Sequence, residues 1–404
     1  MKVLKCVFCI FISCFIFINV NALEIQSNNA VLYNTNDNEI IFTKNENQKV
    51  QIASLTKIMT ALVTLENIKN LNEKVVLKNE DFNKIKEENL VTAGFIANET
   101  VTYNDLLYGL LLPSGADAAK ALARLVGGSE EKFIKKMNEK AKELNLKNTH
   151  FSNPIGLDDS SNYSTASDMS LLFMQALKNE DFKKIITTDS YKTSNGRLTI
   201  KGKTRKNSIV GDYILGGKTG TTDGAGLCLA SIASKDRVNF LLVTLGAPYD
   251  KKGNHNFEDA KTIYEEFINN YGYQTIVEKG DKILTLKTKY TENDEVNFYS
   301  SQTIKKYLSN NYDKEDITSK YKGVNVITSK IKKNTTIGTL TFYYKDKKMA
   351  SEKIILKEKQ KFSYVKYIKD HKTETIVIVG SILVIFALLS IKRKKRKKKK
   401  IKSR

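Results

Sequence analysis

The sequence predicts an α/β protein in which helices flank one antiparallel sheet, followed by a small β-rich domain and a C-terminal transmembrane helix. Three observations carry this reading of the 404 residues. A strand, turn and strand pattern feeds a run of helices and is followed by three period-two segments and a closing amphipathic helix. From Gln274 to about Lys359 apolar and polar residues alternate, as strands with one buried face require. Thr375 to Ile391 carries no charge at all.

Taken in order, Ala30-Val31-Leu32-Tyr33 and Ile40-Ile41-Phe42 flank the polar run Asn34 to Asn38, which gives a hairpin. Leu55, Ile58, Met59, Leu62 and Val63 then recur at helical spacing, so a helix opens around Ser54. Thr102 to Val126 reads as largely helical, broken at Leu112-Pro113-Ser114-Gly115-Ala116-Asp117, where proline and glycine force a tight turn. Phe133 to Leu146 is a further amphipathic helix. The polar loop Asn148 to Leu157 follows, and Thr165-Ala166-Ser167-Asp168 has the form of a capping box before Met169 to Leu177. Leu215 to Thr221, Leu227 to Ser234 and Val238 to Leu245 read as strands, and Phe257 to Tyr271 as the last helix of the domain.

The two ends of the chain carry targeting signals. Lys2 and Lys5 precede an apolar run from Cys6 to Val20 and a small-residue site, so residues 1–22 read as a secretory signal. Residues 375–391 span roughly 25 Å as a helix, within the range for crossing a bilayer. The run Lys392 to Lys400 after it fixes the tail of 392–404 on the cytoplasmic side and residues 23–374 outside. Its place directly behind an apolar span makes it an orientation signal rather than a nucleic-acid site. The leader and tail hold 13 of the 66 Lys and Arg, so the segment between them carries 53 against 44 Asp and Glu, a mild excess that suits a negatively charged wall or membrane surface. Three of the four cysteines fall in the leader, which leaves Cys228 without an intrachain partner. The expected divisions are a first, α/β domain at 23–273, a β-rich domain at 274–359 and a polar stalk at 360–374.

Three short motifs carry chemistry. Ser54 and Lys57 are three apart on one helix, so hydroxyl and amine share a face. Serine needs a base to act as a nucleophile, and a lysine in apolar surroundings can shed its proton and serve. Ser114 sits on the interhelical turn. Gly216-Gly217-Lys218-Thr219-Gly220-Thr221 opens a strand, where glycines allow close approach and Lys218 and Thr219 offer a cation and a donor to a carboxylate.

Together these motifs resemble the serine D-alanyl-D-alanine carboxypeptidases, the low-molecular-mass penicillin-binding proteins. The matching elements are Ser54-Leu55-Thr56-Lys57, Ser114-Gly115-Ala116 and Lys218-Thr219-Gly220, with Asn148-Thr149-His150-Phe151, Asn153-Pro154, Gly156-Leu157 and Tyr163 to Ala166 in support. The resemblance implies a β-lactamase/transpeptidase-like domain. It also implies Ser54 as nucleophile, Lys57 as general base, Ser114 as proton relay, and Lys218, Thr219, Gly220 and Thr221 as the substrate-binding strand. The implied partners are the peptidoglycan stem peptide, β-lactam antibiotics and a membrane, with no cofactor, metal or nucleic acid. One departure stands out: the family usually has asparagine at the end of the second motif, and this chain has Ala116.

Other chemistries find little to draw on. With only His150, His255 and His371, a Ser-His-Asp triad or histidine metal centre has few candidates, and Cys228 reads as a buried small residue. A β-lactamase of the same fold would need a deacylating Glu-x-x-Leu-Asn, and Ala141 stands where that carboxylate belongs. A non-catalytic wall receptor is the alternative from a different class.

Overall fold

The polar run after Tyr33 closes a hairpin between β1 (Asn29–Asn34) and β2 (Glu39–Lys44), in which Asn38 takes the left-handed conformation. The computed structural model describes residues 23–402 except positions 206 and 252; the expected leader at 1–22 lies outside the described residues. β3 (Ile214–Thr222), β4 (Gly226–Lys235) and β5 (Val238–Ala247) follow the helices in sequence and join the hairpin in one antiparallel sheet, ordered β2-β1-β5-β4-β3. Ala30 pairs with Thr244 and Lys218 with Ala230. The first and last parts of the domain are therefore welded side by side, and β3 is left as an edge strand.

Helices α1 (Thr56–Asn67), α2 (Tyr103–Leu111), α3 (Ala116–Gly127), α4 (Glu130–Glu143), α5 (Ala166–Ala176) and α6 (Glu180–Ile186) build the helical layer. α7 (His255–Asn269) packs on β4 and β5. Every residue of α1 from Thr56 to Leu65 is buried, so the helix is central and not amphipathic. Thr102 and Asp105 form a reciprocal capping box on α2. The box expected at Thr165 is only half made: Thr165 Oγ1 accepts from Asp168 N, but the Asp168 carboxylate accepts from Asn148 N and Thr149 Oγ1 instead. Asp168 thereby ties the 148–157 loop to the start of α5.

This first unit ends at Asn269, and a second unit begins at Asn270. It contains three small sheets whose buried residues, among them Leu286, Phe298, Ile327, Leu340 and Leu356, form a core of their own. Within it α8 (Tyr364–Asp370) is held to the turn at 290–294: Lys366 Nζ donates to Asp294 and to the Glu292 carbonyl, each at 2.8 Å. α9 (Lys372–Lys402) follows, and its segment Lys372–Lys395 is long and apolar enough to cross a membrane, consistent with an anchor.

Candidate active site

Ser54 lies in a 3-10 turn, Ala53–Leu55, that runs straight into α1. Lys57 is one turn on, and its Nζ is 2.9 Å from Ser54 Oγ. The amine also donates to the Ile155 carbonyl at 2.5 Å. Burial brings the Lys57 pKa down to about 7, opposed by the Asp117 carboxylate and helped by the charge of Lys203. The side chain is only 3% exposed, so a large share of Lys57 is unprotonated near neutrality and can accept a proton from the adjacent hydroxyl.

Ser114 occupies the turn between α2 and α3 with φ of +74°, a conformation unusual for a residue with a side chain. The turn is over-determined, as such a conformation must be to persist. Gly115 N donates to Gly109 O and Ala116 N to Val91 O. The Asp117 carboxylate accepts from the backbone N–H groups of Ala93, Gly94 and Phe95 at 2.9 to 3.1 Å. A Cβ on Gly115 would meet Asp117 Oδ1 at 2.5 Å and Ala93 N at 2.8 Å, which is why glycine is required there.

The third motif arrives on β3. Lys218 Nζ lies 2.9 Å from Ser114 Oγ and donates to its neighbour's carbonyl, Thr219 O, at 2.6 Å. Lys218 is buried, and desolvation first, then the charges of Lys57 and Lys203, hold its pKa well below the ordinary lysine range. A Cβ on Gly220 would lie 3.1 Å from Ser54 N and from Ile52 O. The edge strand thus passes directly over the turn that bears Ser54, with Thr221 exposed beside it. Ser54, Lys57, Ser114 and the 218–221 strand are therefore brought together in one cluster.

Cys228 and two of the histidines bond to groups outside this cluster. Cys228 is fully buried with its thiol pushed up to about 12. His150 Nδ1 pairs with the Ser161 carbonyl, and His255 bridges Asp250 and Glu258. Two contributors carry no role in the sequence reading. Ile155 acts through its carbonyl, which no side-chain pattern reveals, and Asp117 is distinguished only by standing next to the second motif.

The profile describing D-alanyl-D-alanine carboxypeptidases matches residues 17–249, and that of the penicillin-binding protein 5 C-terminal domain matches residues 271–361. The chain is 35% identical over 237 residues to the D-alanyl-D-alanine carboxypeptidase DacF of Bacillus subtilis, covering 57% of this chain and 59% of that protein, less than two thirds of its length. Among solved structures, the Streptomyces K15 DD-transpeptidase is 31% identical with a TM-score of 0.55, covering 60% of this chain and 97% of that one. The D-alanyl-D-alanine carboxypeptidase DacD of Francisella tularensis, 21% identical with a TM-score of 0.68, shares the fold over 84% of this chain and 95% of its own. With more than half its length matched by the first profile, the chain belongs to the D-alanyl-D-alanine carboxypeptidase family.

Proposed function

We propose that the chain is a serine D-alanyl-D-alanine carboxypeptidase that removes the terminal D-alanine from peptidoglycan stem peptides and is acylated by β-lactams. The observation that carries this reading is the 2.9 Å contact between Ser54 Oγ and a buried Lys57 whose pKa is brought down to about 7. Ser54 Oγ attacks the carbonyl carbon of the penultimate residue as Lys57 takes the hydroxyl proton. The backbone N–H groups of Ser54 and Thr221 receive the oxyanion. Lys218 and Thr219 hold the substrate's terminal carboxylate, and that negative charge returns Lys218 toward its protonated form. The carbon–nitrogen bond then breaks as Ser114 gives its hydroxyl proton to the departing amine, and the proton that Lys57 took replaces it by way of Lys218, which leaves Lys57 neutral again. Water attacks the resulting ester with Lys57 again accepting a proton, which frees Ser54.

The β-strand geometry supports an extended peptide as substrate. β3 is an edge, so its outer backbone groups are open to pairing, and a stem peptide laid along it presents its scissile carbonyl to Ser54. A single pass through the membrane with the catalytic unit outside puts that edge where peptidoglycan lies, and the basic residues after 391 favour this orientation.

The test is release of D-alanine from a pentapeptide ending in two D-alanines by the detergent-solubilised full chain, with mass mapping of the penicillin adduct. Turnover and an adduct on Ser54 are expected. No turnover, equal turnover by Ser54→Ala, or an adduct elsewhere would remove the reading.

A further inference from the structure

A lysine that acts as base needs a hydrogen-bond partner to fix the rotation of its amine, and Ala116, where the family usually has asparagine, has no polar side-chain atom to supply one. Lys57 is nevertheless held by two contacts, and the second comes from a different part of the chain. We infer that the turn Asn153–Leu157 takes over this task, and that Asn153 is the positioning residue that aims Lys57 at Ser54. The inference rests on the serine-peptidase reading above.

The turn is built around one side chain. Asn153 Oδ1 accepts from the backbone N–H groups of Ile155, Gly156 and Leu157 at 3.2, 2.6 and 3.0 Å. Three donors on one oxygen leave the intervening peptide planes little freedom, so the Ile155 carbonyl points where the amide oxygen dictates. That carbonyl accepts from Lys57 Nζ at 2.5 Å. The turn is also pegged to the catalytic helix, because Thr60 Oγ1, one turn beyond Lys57, donates to the Pro154 carbonyl at 2.7 Å. On the other side Gly156, with φ of +86°, is pressed so close to the Ser54 turn that a Cβ would sit 2.0 Å from Ala53 O and 2.9 Å from Ser54 N.

This arrangement has a direct chemical consequence. An unprotonated lysine has two N–H bonds and one lone pair, and a base works only if the lone pair faces its proton. Committing one N–H to the Ile155 carbonyl fixes the amine's rotation and leaves the lone pair free to face Ser54 Oγ, 2.9 Å away. The same turn covers Lys57 and keeps water from it. Loosening the turn therefore does two things at once: it misaims the base and readmits water to it.

The experiment compares the full-length protein with Asn153→Ala and with Thr60→Val, which keeps shape but removes the peg to Pro154. Penicillin acylation rates and peptide kcat and KM are measured from pH 5.5 to 9.5, with melting temperature alongside. Asn153→Ala is expected to lower kcat about tenfold, the scale of one lost oriented hydrogen bond, with KM within twofold. Its acid limb is expected to move to higher pH as water returns to Lys57; Thr60→Val should shift kcat and the limb the same way by less. If both variants merely melt earlier while the acid limb and kcat stay at wild-type values, the inference is overturned. If Asn153→Ala does not fold, Thr60→Val decides alone by the same criterion. Absence of Ser54 acylation in the wild-type protein would instead strike the underlying peptidase reading.

Discussion

Ser114 Oγ and Lys218 Nζ meet at 2.9 Å across 104 residues of sequence, and both groups are buried. The contact joins the helical layer to the edge strand beside the Ser54 turn. It also gives Lys218 an acceptor, so that the buried amine has a partner before any carboxylate arrives.

Replacing Ser114 by alanine removes that relay while leaving Ser54 and Lys57 in place. Steady-state kcat on a D-Ala-D-Ala peptide is expected to fall about 10²-fold, within the range assigned to a positioned proton-transfer group. Penicillin should still label Ser54, only more slowly. A kcat within threefold of wild type would show that the proton reaches the leaving amine by another route.

The depressed pKa of Lys57 sets the pH dependence of acylation. Below about 7 the amine carries a proton and cannot act as base; above it the base is free. The second-order rate of penicillin acylation is therefore expected to climb about tenfold per pH unit on the acid side and level off past neutrality. Stopped-flow or gel-based labelling between pH 5 and 9 reads this directly, and a flat profile would contradict the role.

The same shift is a statement about stability. Lys57 takes up a proton near pH 10.5 when unfolded and only near 7 when folded. Between those values the unfolded state binds more protons, so this group's contribution to stability rises with pH across that window. In Lys57→Met the contribution is absent. The variant is expected to be more stable than wild type at pH 6, by up to about 5 kcal/mol for a displacement from 10.5 to about 7, with the gap closing as pH approaches 10. Thermal unfolding of both proteins across that range measures it, and a gap independent of pH would mean that Lys57 is not buried as a neutral amine.

Much of this site was legible in the sequence because its residues come as side-chain types at fixed spacing. Ser54 and Lys57 are one helical turn apart, and glycines at 216, 217 and 220 mark a strand that other backbone approaches. What escaped notice has a common physical cause. The grip on Lys57 comes from a main-chain carbonyl 98 residues away, and main-chain atoms have no signature in composition or period. Periodicity also assigned α1 an apolar stripe, whereas packing on all sides buries Lys57, Thr60 and Thr64 with it. The short pairings of 74–76 with 100–102 and of 190–192 with 199–201 hold three residues each, too few to show a period of two.

Ala116 offers a test of how the chain copes without the customary amide. An asparagine there would add an acceptor and a donor beside the cluster, and a missing hydrogen bond of that kind is worth on the order of 1 to 3 kcal/mol, or up to about 150-fold in rate. The Ile155 carbonyl already fixes the amine, so most of that sum is not available to be regained. Ala116→Asn is therefore expected to change kcat/KM on a D-Ala-D-Ala peptide by less than tenfold and to leave the acid limb in place. The variant must fit its side chain where Ala116 is 2% exposed, so the melting temperature is followed to separate poor packing from altered chemistry. A gain approaching 10²-fold in a well-folded variant would mean that Lys57 is poorly aimed in the natural protein and that the Asn153 turn does not do the work of the absent amide.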